Sequence, residues 1–167
     1  FCVACLALAF TSCEKEENSS LNLKNAPKGT VSGYVYTNKG FNPDTVINVP
    51  VANQTFTLYV ELSGFDSDAQ GTKTYTVTTD ANGFYSIELP ASYVNNISIS
   101  AEVQFKDKYA VPEEYPVGSG LYVAKNVDAM YYGYESDYVY PDYTTIMNIF
   151  VTMDDILDPD YIFSMPI

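Results

Sequence analysis

Six tyrosines fall within the stretch "AMYYGYESDYVYPDYTT": Tyr131, Tyr132, Tyr134, Tyr138, Tyr140 and Tyr143. Each ring offers a flat apolar face and a polar tip, which suits it to wet interfaces. Exposed, such a cluster can stack on the faces of sugars or pack against a partner protein. Buried, it can hold a long loop in shape. The sequence leaves both readings open.

The carboxylates give weaker patterns. Asp66 and Asp68 in "GFDSDAQG" come nearest to a metal loop, yet calcium wants six or more oxygens, so no metal is expected there. Asp154, Asp155, Asp158 and Asp160 read as a charged run. Glu113 and Glu114 are adjacent, and neighbours on a strand point to opposite faces, which does not make the paired acids of a glycosidase. There is no His, and all eight basic residues are Lys. A Ser-His-Asp or Cys-His nucleophile and a His-based zinc site are therefore absent from this sequence. The net charge of -13 repels polyanions, so nucleic acid is not an expected partner. The chain reads as a non-enzyme without a cofactor.

"TVTTDANGFYSIELP" could be an acidic ligand loop or a corner. Polar–apolar alternation on both sides favours the corner. Asp80 can accept backbone N–H groups, and Asn82 and Gly83 tolerate the positive φ that tight hairpins need. An EF-hand loop requires more acidic positions and a distal Glu.

Elements that would position these groups follow from a period of two. "TFTLYVEL" sets Phe56, Leu58, Val60 and Leu62 on one face. "ISISAEVQF" turns Ile97, Ile99, Ala101, Val103 and Phe105 inward. "VSGYVYT" and "TIMNIFVTM" are further strands, the latter with Met147, Ile149, Val151 and Met153 on one face. One-sided alternation points to antiparallel sheets with one solvated face. Short strands between Gly, Pro, Asn and Asp turns point to a sandwich or barrel. No segment has a sustained helical period, and "MDDILDPDY" is read as one helical turn. The class expected is all-β, an antiparallel β-sandwich.

The front of the chain reads as an address. Residues 1–10 are continuously apolar, shorter than the roughly 20 residues a spanning helix needs but suited to the core of a secretory signal. Neither Met nor a basic segment precedes Phe1, so the sequence is expected to start inside a precursor. Cys2, Cys5 and Cys13 are the only cysteines, so none is left to cross-link the body. Phe10-Thr11-Ser12-Cys13 resembles the lipobox of bacterial lipoproteins, with Phe10 in place of the usual Leu. That resemblance implies cleavage before Cys13 and acylation of its thiol, hence a membrane as partner. The following "EKEENSS" resembles the export signal of surface lipoproteins in Bacteroidetes-type bacteria. It implies an outer-membrane, surface-exposed location, with a periplasm-facing one as the alternative. An ordinary cleaved signal with an incidental Cys13 is the competing reading. Residues 13–29 are expected to form a flexible tether.

"VSGYVYTNKG", "VPVANQTFTLYV", "TVTTDANGFYSIELP" and "ISISAEVQF" together resemble the carboxypeptidase regulatory-like domain. The family implies a transthyretin-like, immunoglobulin-like β-sandwich without catalytic residues, acting as a scaffold or adhesion module. The resemblance puts the domain at residues 30–153, with a Tyr-rich insertion at about 106–143 and a tail at 154–167. The function expected is a non-catalytic envelope binding module for glycan or peptide. Docking on another envelope protein is the alternative, and a hydrolase stands third.

Overall fold

The computed structural model describes residues 21–40 and 48–158. Residues 1–20, Cys13 and its lipobox among them, lie outside the described residues, as do Asp160 and the rest of 159–167. Among the described residues nine strands follow in chain order: β1 (Lys28–Asn38), β2 (Asn48–Pro50), β3 (Thr55–Glu61), β4 (Thr72–Thr78), β5 (Phe84–Pro90), β6 (Ile97–Glu114), β7 (Tyr122–Val139), β8 (Thr144–Ile146) and β9 (Ile149–Ile156). Two single 3₁₀ turns, Leu23–Asn25 and Leu62–Gly64, are the only helical pieces among the described residues. The all-β expectation is borne out. No helix among the described residues is long and apolar enough to cross a membrane.

The sheet runs β2-β1-β9-β7-β6-β3-β4, with β5 and β8 also paired to β1. β1 is the hinge of this arrangement. Its first half, from Lys28 to Tyr34, pairs with β5, and Thr30–Ser32 also pair with β8. Its second half pairs with β2 and β9. The pairings of β1 with β8 and β9 are parallel, so the expectation of a purely antiparallel sheet is corrected at β1. Alternation cannot detect this, because it reports which side chains are buried and not the direction of the neighbour.

Inward faces fall where the alternation puts them. Leu58, Val60, Ile97, Ile99, Ala101 and Val103 are fully buried, and Phe105 packs on the edge of the core. Phe56 of β3 meets Tyr85 of β5 edge to face, with centroids 5.0 Å apart at 89°. Since β3 and β5 are not ladder neighbours, the sheet folds back so that its two ends share one core. Tyr85 sends its hydroxyl to the Met147 carbonyl at 2.6 Å. Burial pushes its phenol pKa well above the ordinary value, with Glu135 and Asp137 adding to the rise.

Several sequence expectations change in detail. "TIMNIFVTM" is two strands, because Asn148 Oδ1 accepts the Tyr34 N–H at 2.9 Å in place of a ladder carbonyl. Met147, Ile149 and Val151 remain buried across the break. Met153 to Ile156, the start of the segment read as a helical turn, is the end of β9, so Asp154 and Asp155 sit on a strand. The expected tether is folded from Leu23 onward: Leu23 is buried, and Lys28 and Gly29 already belong to β1. Residues 106–143, expected as a Tyr-rich insertion, are largely strand. They lie mostly in β6 and β7, two 18-residue strands joined as a hairpin.

Candidate functional site

The six tyrosines divide by parity along β7. Tyr131 points inward and is fully buried. It stacks on Phe105 at 5.0 Å and 4° and donates its hydroxyl to the Lys108 carbonyl at 2.9 Å. Burial, then the charges of Asp107 and Tyr109, push its pKa up to about 12. It is a core residue, so its place among the ligand-binding candidates is withdrawn. Tyr132, Tyr134 and Tyr138 point outward, opposite Gln104, Glu102 and Ser98 of β6. Beside them Tyr59 donates its hydroxyl to Glu102 at 3.1 Å. Partial burial and that hydrogen bond raise the Tyr59 pKa.

Tyr140 and Tyr143 leave the sheet at its end. They are the first and last residues of the turn Tyr140-Pro141-Asp142-Tyr143, closed by the Tyr143 N–H on the Tyr140 carbonyl at 3.4 Å. Pro presets the second position, and Asp142 takes a positive φ of 61° at the third, the geometry of a type II turn. The turn is pinned to β1: Asp142 N–H donates to the Lys28 carbonyl and Thr30 N–H to the Tyr143 carbonyl, both at 2.9 Å. Gly29 permits this approach, since a Cβ there would collide with the Tyr140 carbonyl.

Two shallow hollows flank the turn. One, of about 280 Å³, lies between it and the loop after β5, with Tyr93, Asn95, Asn96 and Asp142 in its wall. The other, of about 470 Å³, is lined by Asp137, Thr144 and Thr145. Tyr140 and Tyr143 border both, so their rings form the ridge between them. Tyr93 and Tyr143 are each 72% exposed. Tyr93 donates its hydroxyl to Asp142 Oδ2 at 2.5 Å, and that hydrogen bond raises its pKa. Ser92 Oγ accepts the N–H groups of Val94 and Asn95, and Asn95 Nδ2 reaches the Gly64 carbonyl at 3.0 Å. The loop that carries Tyr93 is thereby held in shape. The ridge thus combines open aromatic faces with hydroxyl, amide and carboxylate groups.

The sequence missed Tyr93, Asn95, Asp137 and Asp142. Tyr93 stands 47 residues before Tyr140, and only the meeting of the loop after β5 with the turn after β7 brings them together. A Tyr in the Asn-rich stretch "SYVNN" between two strands was the available signal.

The remaining candidates are structural. Asp80 Oδ1 accepts the N–H groups of Asn82 and Phe84 at 2.7 and 2.9 Å, which makes the corner. In that turn only Gly83 takes a positive φ, 76°, so Asn82 does not use the left-handed freedom expected of it. Asp66 Oδ1 is engaged by the Asp68 N–H at 3.0 Å. Among the described residues no group of three or more His, Cys, Asp or Glu is placed to hold a metal. Among the described residues the carboxyls with shifted acidity, Asp107 and Glu114, are both shifted down, away from a general acid. Burial works against Asp107, but the Lys39 side chain and the Lys108 N–H outweigh it. Glu114 is lowered by the N–H groups of Gly120 and Gly118 in the hairpin loop.

No family model matches this chain, and no curated protein does. Among solved structures, the chain is similar to one from Pseudomonas aeruginosa described as "a putative carbohydrate binding protein". The identity is 13% and the TM-score 0.36, over 74% of this chain and 89% of that one. A superposition this loose transfers neither ligand nor topology.

Proposed function

We propose that this chain is a non-catalytic binding module of the cell envelope that takes a carbohydrate on the ridge of Tyr140 and Tyr143. The observation that carries this reading is the convergence of three exposed rings, Tyr93, Tyr140 and Tyr143, with Asp137, Asp142 and Asn96 around two open hollows. A pyranose presents an apolar C–H face and a rim of hydroxyls. The rings supply the flat apolar partner, and the carboxylates and amides accept and donate at the rim.

The lipobox-like segment supports an anchor at Cys13, and the fold adds a geometric consequence. The chain enters β1 at the end that carries the ridge, where Ala91 N–H bonds the Pro27 carbonyl and Asp142 N–H the Lys28 carbonyl. Seven residues lie between Cys13 and Leu21, and the eight steps from one to the other reach at most about 28 Å. A glycan held at the ridge is then one displayed close to the membrane. A second reading, docking on another envelope protein, draws on the outward row of Tyr132, Tyr134 and Tyr138.

A glycan array probed with the full chain and with Tyr140→Ala/Tyr143→Ala tests the proposal. Binding by the parent and its loss in the double variant is the expected result. Glycan binding that survives the double variant but falls with Tyr132→Ala/Tyr134→Ala moves the site to the sheet face. No glycan binding at all rejects the carbohydrate reading.

A further inference from the structure

The β6–β7 hairpin ends in an exposed stretch without charge. Residues 115–124, "YPVGSGLYVA", carry no acidic or basic side chain, in a chain of net charge -13. All of them are exposed. Val117, in the turn itself, is 91% exposed, Tyr115 68% and Leu121 65%. Large apolar side chains gathered in the open mark a surface that meets something.

A loop that leaves water must make its backbone hydrogen bonds internally. This one does. Tyr115 N–H donates to the Leu121 carbonyl at 2.9 Å, and Ser119 N–H to the Pro116 carbonyl at 3.0 Å. Leu121 N–H donates to Ser119 Oγ at 3.1 Å, and Gly120 N–H to Glu114 Oε1 at 2.6 Å. Glu114 also accepts the Gly118 N–H. Pro116 has no N–H to satisfy.

The side chains are layered along the hairpin. Val117 stands in the turn. Tyr115 and Leu121 share the next rung, Glu114 and Tyr122 the one below, and Glu113 and Val123 the third. Lys125 then neutralises Glu113 at 3.2 Å. Apolar groups outermost, tyrosines behind them and an ion pair last is the order of polarity from the hydrocarbon of a bilayer out to water, with Tyr at the boundary. Glu114 sets the depth, since a carboxylate stays with the headgroups. Val117 lies three residues further on, no more than about 10 Å, and interfacial segments bury their apolar face to about 5–10 Å.

We propose that the tip of the β6–β7 hairpin, from Tyr115 to Val123, inserts into a neutral lipid surface, and that it does so whether or not Cys13 is acylated. A protein partner fits less well. Recognition of a fixed surface uses directional polar groups, and the one hydroxyl of the tip outside its tyrosines, on Ser119, is taken up by Leu121. The charge of the chain argues for zwitterionic lipid, because an anionic surface repels it. The 18 residues of β6 set the tip at most about 60 Å from the ridge. An anchor at Cys13 and this tip would together lay the hairpin along the membrane.

The chain contains no Trp, so Leu121→Trp in the full chain is a single fluorescent reporter. It reads only its own surroundings, and attachment by the front of the chain does not imitate its response. Ala81→Trp, on the exposed corner beside Asp80, is the control. With phosphatidylcholine vesicles the Leu121→Trp emission should move to the blue and be quenched by lipid spin-labelled on its acyl chain. Ala81→Trp should show neither effect. Adding Val117→Asp to the reporter chain should weaken the response about tenfold or more. Its urea midpoint should not change, since Val117 and Leu121 lie outside the core. Phosphatidylglycerol mixed into the vesicles should not strengthen the response. An unshifted Leu121→Trp, an equal response from both reporters, a response that survives Val117→Asp, or one that needs phosphatidylglycerol overturns the proposal.

Discussion

Truncating Tyr131 to Ala removes a ring that is fully buried, stacked on Phe105 and bonded through its hydroxyl to the Lys108 carbonyl. Large aromatic-to-Ala changes in cores cost about 3–5 kcal/mol through lost transfer energy and the cavity left behind. The stack sits at the edge of the core beside Tyr109, where partial collapse can fill the gap, so about 3 kcal/mol is the better figure. In a chain of this size each kcal/mol moves the melting point by about 2–4 °C, which makes the expected drop about 10 °C. Tyr131→Phe keeps the stack and strands only the Lys108 carbonyl, at about 1 kcal/mol. Tyr143→Ala, on a residue 72% exposed, should move stability by less than about 0.5 kcal/mol. Equilibrium urea unfolding of the three variants, with m-values compared, makes the measurement. If Tyr131→Ala unfolds within 0.5 kcal/mol of the parent (about the noise of a surface change), the inward assignment of Tyr131 is wrong, and with it the parity on which the division of the cluster rests.

Alkaline titration offers a second check. The Tyr131 pKa in the folded chain is raised from 10.0 to about 12, so folding favours the neutral phenol. Its contribution is whole below pH 10 and is lost as the pH climbs from 10 toward 12. Tyr85 acts in the same direction. The urea midpoint should hold steady up to about pH 9.5 and then fall, and a flat profile to pH 11 would contradict the burial of both rings. Gly29→Ala should displace the turn from Tyr140 to Tyr143 from β1 and weaken sugar binding as much as Tyr140→Ala does. Full binding by that variant would separate the turn's position from the site. Cys13→Ser should release the mature protein from membranes in a carbonate wash, and retention would refute the acylated anchor. Asp80→Ala leaves the Asn82 and Phe84 N–H groups without their acceptor, and should lower stability by about 1 kcal/mol while leaving sugar binding unchanged.

Strand character was legible in the sequence because burial on a pleated surface repeats every two residues. Phe56 to Leu62 and Ile97 to Val103 announce their inward faces with no help from the rest of the chain. The Asp80 corner was equally readable, since its hydrogen bonds close within five residues. The region from Lys106 to Tyr143 was not, and its alternation is blurred because large side chains occupy both faces. Tyr131 and Tyr132 are neighbours and must point apart, but nothing local says which of them is buried. That is decided by Phe105 across the ladder and by β9, which arrives some twenty residues later along the chain.

What the sequence alone determined is the period, and through it the class of fold, the exposed and buried members of the clean strands, and the chemistry excluded by the absence of His and Arg. Only the tertiary structure decided the parallel placement of β8 and β9 on β1, the core position of Tyr131, and the meeting of Tyr93 with Tyr140 and Tyr143. The physical reason is range. Alternation is set by bonds between neighbours along the chain, whereas strand direction, register and the assembly of a surface from distant loops are set by contacts that exist only after the sheet has folded back on itself.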